Sequence, residues 1–141
     1  GFPGMKVLHF AFGKDLPNNP NAPHHHPANC VVYTGTHDDN TIKGWYTKDA
    51  TSRDRIRLAR YLGKTISLRE LHWDVIRLAM MSVACIAIIP MQDILGRGEE
   101  ARMNRPGTGK GNWTWRLMED HLTPLLARRL LNMTTLYGRN G

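Results

Sequence analysis

Residues 30–41 read "CVVYTGTHDDNT". The opening run is apolar and β-branched with no alternation of polar side chains, as expected of a strand buried on both faces in a parallel sheet. It stops abruptly in His37, Asp38 and Asp39. The segment therefore predicts a strand over 30–36 that delivers polar groups to one end of a sheet.

The flanks repeat the pattern. Upstream, "MKVLHFAF" at 5–12 predicts a second short strand, and 13–29, with four prolines and four asparagines, predicts a loop. Downstream, 51–62 predicts a helix with apolar positions at 58, 59 and 62 and a stop at Gly63. The next helix is expected to start at "SLRE", where Ser67 and Glu70 have the spacing of a capping box; its stripe runs Leu71, Val75, Leu78, Ala79. "CIAIIPMQDIL" at 85–95 predicts a third strand, ending near Pro90 because proline removes a ladder donor. Residues 96–111 form a glycine-rich polar loop. A final helix has Thr123 as N-cap, Pro124 at its first position, an apolar face at 125, 126, 130, 133 and 136, and Gly138 at its C-cap. Strands alternating with helices predict an α/β fold with a parallel sheet, either a barrel or an open doubly wound sheet. In both, functional groups gather at the carboxyl ends of strands, where "THDD" and "MQD" fall.

Composition narrows the classes. With 141 residues, 41% hydrophobic and 22% charged, the chain has the size and balance of one globular domain, and no separate second domain is expected. No apolar run approaches the roughly 18 residues of a membrane span, so no membrane partner is expected. Cys30 and Cys85 lie in apolar contexts without CxxC spacing, which reads as buried free thiols in a reducing, cytoplasmic setting. The net charge of +7 is carried mainly by Arg and Lys on the helical segments 53–60, 69–77 and 128–129, a solvated surface. Without aromatic interleaving or a recognised motif it does not indicate a nucleic-acid partner.

Carboxylates at a strand end can act as acid, base, nucleophile or stabiliser of a cationic transition state, and the neighbouring His37 can hydrogen-bond a sugar hydroxyl. The plainer alternative is that Asp39 and Asn40 cap the next helix while Asp38 satisfies buried backbone amides. His24, His25 and His26 point in different directions along an extended loop, so no metal is expected there. "GKDLPNNP" and "PGTGKGNW" lack Walker spacing, and no GxSxG elbow is present.

Taken together, "GMKVLHFAF", "NPNAPHHHP", "VVYTGTHDDNTIKGWY", "MMSVACIAIIPMQDILGRGEEARMNRPGTGKGNWTWRL" and "LTPLLARRLLNMTTLYGR" resemble the 4-alpha-glucanotransferase family (glycoside hydrolase family 77, the amylomaltases or disproportionating enzymes) over essentially all 141 residues. The resemblance implies a (β/α)8 TIM barrel of which residues 1–141 are the C-terminal part, with "KVLHFAF", "VVYTG" and "AIIPMQ" as strands 6, 7 and 8. It implies retaining transfer of alpha-1,4-glucan segments between maltodextrins, with maltose and glucose among the partners and no cofactor or metal. Family catalysis uses an Asp nucleophile after strand 4, a Glu acid/base after strand 5 and an Asp after strand 7. Asp38 matches the third, His37 a residue that hydrogen-bonds the same sugar, and Asn104 a residue lining the substrate cleft. Gln92 and Asp93 are expected to end strand 8 and orient the loop carrying Asn104. The first two carboxylates have no match here, so the chain alone is expected to be inactive.

The sequence departs from the family pattern in places. Asp39 and Asn40 exchange the usual Asn and Asp, so the turn after Asp38 is expected to hydrogen-bond differently. His25 and His26 lie in a variable loop, Arg105 beside Asn104 is expected to affect acceptor binding, and Cys85 replaces a polar residue. A non-catalytic glucan-binding remnant and a basic nucleic-acid or partner-binding module are the competing readings.

Overall fold

The computed structural model describes residues 1–139. Its centre is a parallel sheet of three strands in the order β1 (Gly4–Val7), β2 (Cys30–Tyr33), β3 (Ile86–Ile88). The register aligns Met5 with Val31 and Ile86, and Val7 with Tyr33 and Ile88. The strands are shorter than their apolar runs. After Val7 the chain turns into a 3-10 segment, Leu8–Phe10, so the rest of "MKVLHFAF" is a turn, largely buried except at Phe10. Leu8, Ala11 and Phe12 there are at most 1% exposed. β2 ends at Tyr33, and residues 34–41 form the loop beyond it.

That loop enters α1 (Ile42–Gly44), which continues as a π-helical turn, Trp45–Asp49. Gly44 packs closely there: a Cβ on it would sit 2.0 Å from Oδ1 of the buried Asn40. Then come α2 (Ser52–Leu62) and α3 (Leu71–Met81), which complete the crossover to β3. The capping box is at the start of α2, where Thr51 and Asp54 satisfy each other's backbone N–H. Ser67 forms none. Its carbonyl accepts from Glu70 N and Leu71 N, Glu70 is itself the N-cap of α3, and its carboxylate pairs with Arg129. Gly63 closes α2 in the left-handed conformation, φ 67°.

Past Pro90 the chain forms α4 (Met91–Ile94), so Gln92 and Asp93 lie in a helical turn after β3 and not at its end. α5 (Pro124–Leu136) starts as expected, with Thr123 Oγ1 accepting from Leu126 N, and its C-cap is Tyr137. Its predicted apolar face is only partly used. Met133 is buried and Leu126 and Leu130 pack on the core, but Leu125 and Leu136 are exposed. α5 is held to α3 by the Arg129–Glu70 pair, by Arg129 stacked on Trp73, and by Arg77 donating to the Tyr137 hydroxyl.

The core lies on one face of the sheet. Cys30 and Val32 join Leu58, Leu71, Val75, Ile76 and Ala79 in one buried cluster. The opposite face is open: Met5, Ile86 and Ile88 share it and are 60%, 48% and 44% exposed. A doubly wound sheet would cover both faces. Cys30 is buried as expected, but Cys85 is exposed; both are free thiols. Among the described residues, no helix is long and apolar enough to cross a membrane.

Candidate active site

At the carboxyl end of the sheet the loop 34–41 and the segment after β3 enclose a cavity of about 490 Å³. Its lining includes Tyr33, His37, Asp38, Asp39, Asp93 and Arg102. The three residues singled out from the sequence meet here. Asn104 Nδ2 donates to Asp38 Oδ1 at 2.6 Å, and His37 Nε2 lies 3.3 Å from the same oxygen. The backbones are tied as well, Asn104 N donating to the His37 carbonyl at 3.0 Å. Asp38 remains 47% exposed at its side chain, and among the described residues its Oδ2 has no partner. One oxygen is fixed and the other is available to a ligand.

The plainer reading of the aspartates assigned the wrong residues. It is Asp39 that accepts a backbone N–H, from Thr36 at 2.8 Å, together with the Thr36 hydroxyl at 2.7 Å. Asn40 is buried and donates to Asp49, and the N-cap of α1 is Thr41. Asp39 thus closes the turn back on Thr36.

Arg102 was not singled out from the sequence. Its guanidinium donates to the Asp38 carbonyl at 2.7 Å and to the Asn104 carbonyl at 2.9 Å, joining the two halves of the site. Trp113 was also missed. Its ring lies 5.4 Å from that of His37, its backbone N–H donates to the Met103 carbonyl, and its φ of 60° is a conformation that bulky residues rarely adopt. The nearby signals were Arg102 two positions before Asn104 and the glycine-rich run before Trp113. Arg105 is engaged by Glu99 in the preceding turn and is not among the residues lining the cavity.

Beneath the loop lies Asp93, 1% exposed. Burial pushes its carboxyl up to about 6, opposed by hydrogen bonds from Ile42 N and Thr34 Oγ1. Nearby His9 is stacked on Trp45 at 5.6 Å, against Gly35, where a Cβ would lie 2.7 Å from its ring. Burial holds His9 down to about 4 despite Asp39 and Asp49.

Of the histidine triplet, His24 and His25 lie side by side, rings 4.3 Å apart, and both reach the Pro17 carbonyl, with His24 also meeting the Tyr61 hydroxyl; His26 points away and is buried between Ser82 and the Asn21 carbonyl. Among the described residues no group of three His, Cys, Asp or Glu side chains is placed to hold a metal ion.

A family model described as 4-alpha-glucanotransferase matches residues 1–123. The 4-alpha-glucanotransferase of Synechocystis sp. is 50% identical over 139 residues, covering 98% of this chain and 27% of that protein. That of Thermus thermophilus is 48% identical, covering 94% and 27%, and the chloroplastic/amyloplastic enzyme of Solanum tuberosum is 46% identical, covering 97% and 24%. The solved amylomaltase from Streptococcus agalactiae in complex with acarbose superimposes with a TM-score of 0.92 at 33% identity, over 99% of this chain and 28% of that one. The chain thus spans about a quarter of the length of these relatives.

Proposed function

The chain belongs to the 4-alpha-glucanotransferase family, and from that premise we propose that it is the C-terminal part of a (β/α)8 enzyme that transfers alpha-1,4-glucan segments between maltodextrins. In this reading β1, β2 and β3 are barrel strands 6, 7 and 8. The helix-covered face is the outside of the barrel and the open face of Met5, Ile86 and Ile88 its interior.

The observation that carries the reading is the Asp38 carboxylate at the end of β2, one oxygen fixed by Asn104 at 2.6 Å and the other free to take a sugar hydroxyl. A retaining transfer needs a nucleophilic carboxylate and an acid/base carboxylate close together across the scissile bond. Asp38 takes neither part. It hydrogen-bonds the hydroxyls of the sugar at the cleavage point and lowers the energy of the positive charge that develops on the ring. His37 hydrogen-bonds the same sugar. Asn104 and Arg102 hold the carboxylate and its backbone in place before the sugar arrives, so reorganisation during reaction is small. The nucleophile and acid/base lie outside these 141 residues, so the chain alone is inactive. Free thiols at Cys30 and Cys85 support a reducing, cytoplasmic location.

The test uses the full-length protein carrying this chain. With a maltodextrin donor, NMR of the products early in the reaction should show newly formed alpha-1,4 linkages, and Asp38→Asn should lower kcat by at least about a hundredfold. Beta-configured products, or an Asp38→Asn enzyme with wild-type turnover, would contradict the reading.

A further inference from the structure

We propose that Asp93 is a positioning residue for Asp38, its carboxylate clamping both ends of the loop on which Asp38 is carried. The inference rests on the role given to Asp38 above and assigns that role a structural support.

Asp93 Oδ2 accepts from the Thr34 hydroxyl at 2.7 Å, and Oδ1 accepts from the Ile42 backbone N–H at 2.8 Å. Thr34 is the first residue after β2, and Ile42 is the first residue of α1. One short side chain therefore ties the point where the loop leaves the sheet to the point where it enters the helix. Thr34 and Ile42 are both fully buried, so neither donor has water to turn to. The α1 N-terminus depends on this arrangement, because Thr41 satisfies Gly44 N and Asp93 satisfies Ile42 N.

The same stretch of chain grips the loop again from above. Arg102 and Asn104, which follow Asp93 after the short turn Glu99–Ala101, bind the carbonyls of Asp38 and His37 and the Asp38 carboxylate. The loop is thus fixed at its ends by Asp93 and at its tip by Arg102 and Asn104. Asp93 itself does not meet a sugar, being 1% exposed with both oxygens engaged. Burying a carboxylate is costly, and an apolar residue would fill the space at less expense. What the carboxylate adds is two directed hydrogen bonds to fixed points, and a loop that must hold Asp38 to within a fraction of an ångström has use for them.

The experiment uses the full-length protein with Thr34→Val, which removes one arm of the clamp at nearly constant volume, and Thr34→Ser, which keeps it. Amide hydrogen exchange is read at residues 36–39 and at β2, alongside kcat and KM for maltotriose. The clamp predicts exchange at least about tenfold faster at 36–39 in Thr34→Val, with β2 unchanged and Thr34→Ser close to wild type. It also predicts kcat down by about tenfold with KM within about twofold. Unchanged exchange at 36–39, or acceleration spread evenly over β2 and the helices, overturns it. Full loss of kcat in Thr34→Ser overturns it too. If the unmodified full-length protein does not act on maltotriose, the proposed function fails, and exchange alone decides the clamp by the same criteria.

Discussion

At the scale of single residues, the site is a set of polar groups held by one another. Asn104 is the partner of Asp38 that reaches it from furthest along the chain. Asn104→Ala should free the carboxylate to rotate and lower kcat of the full-length protein by about tenfold. Its half-buried position predicts little change in melting temperature. A wild-type kcat in this variant would mean that Asp38 is held by other contacts. Three buried histidines, His9, His26 and His72, are held below their ordinary value by burial and set the response to acid. Burial holds both His9 and His72 down to about 4 from an ordinary 6.5; around His72, Lys43 and Arg129 push the same way. His9 Nε2 and His72 Nδ1 are buried without a partner among the described residues, which suits neutral rings. A depressed histidine is neutral in the folded protein and takes up a proton more readily when unfolded. Its stabilising contribution is therefore complete above about pH 6.5 and is lost as pH falls towards 4. Asp93, raised to about 6, acts in the opposite sense: its contribution is present below its ordinary value of 3.8 and lost as pH rises through 6. Three depressed histidines outweigh one raised aspartate, so the melting temperature of the full-length protein should drop between pH 7 and pH 5. His9→Gln should reduce that drop, and an identical profile in the variant would remove His9 from the explanation. The roles of His37, Asp38 and Asn104 entered through family resemblance; pattern alone reached no further than a carboxylate cluster at a strand end. Asp93 was expected at the end of the third strand, orienting the loop that carries Asn104; its contacts run instead to Thr34 and Ile42, 59 and 51 positions away, and Arg102 was missed because its partner Asp38 lies 64 positions away.

Among the elements, local signals were read well where neighbours agreed with them and poorly where a distant group intervened. The start of β2 at Cys30, though not its end at Tyr33, and the start of α5 at Thr123 and Pro124 depended on short-range chemistry and were legible. "TSRD" and "SLRE" have the same capping spacing, yet only the first forms a box. Glu70 is drawn to Arg129 on α5, which no window of sequence around it contains. The run 5–12 was read as a strand throughout because an apolar stretch does not distinguish a strand from a turn sunk into the core. These assignments give a paired test. Thr51→Ala should destabilise the full-length protein by about 1 kcal/mol in urea unfolding, whereas Ser67→Ala should stay within about 0.5 kcal/mol. A larger loss at Ser67 than at Thr51 would reverse the assignment of the caps.

For the whole molecule, the decisive feature is what the sheet leaves open. Among the described residues β1 and β3 each have an unpaired edge, and Met5, Ile86 and Ile88 face outward. A second apolar groove lies between α4 and α5, lined by Met91, Ile94, Leu122, Leu126 and Leu130. Such surfaces in isolation favour association and loose packing. The 141-residue chain by itself should bind ANS and melt without a sharp transition; cooperative unfolding of a monomer with no dye binding would show that it folds independently. Under the proposed function its chemistry is incomplete in the same way as its architecture, since Asp38 as a stabilising carboxylate would supply neither a covalent bond nor a proton. The most direct measurement is a disproportionation assay on maltotriose, following glucose and longer maltodextrins, with the 141-residue chain, the full-length protein carrying it, and Asp38→Asn in each. The account predicts turnover by the full-length protein alone, lost with Asp38→Asn, and none from the 141-residue chain in either form. Turnover by the isolated chain, abolished by Asp38→Asn, would contradict it, because the nucleophile and acid/base would then have to lie within these residues.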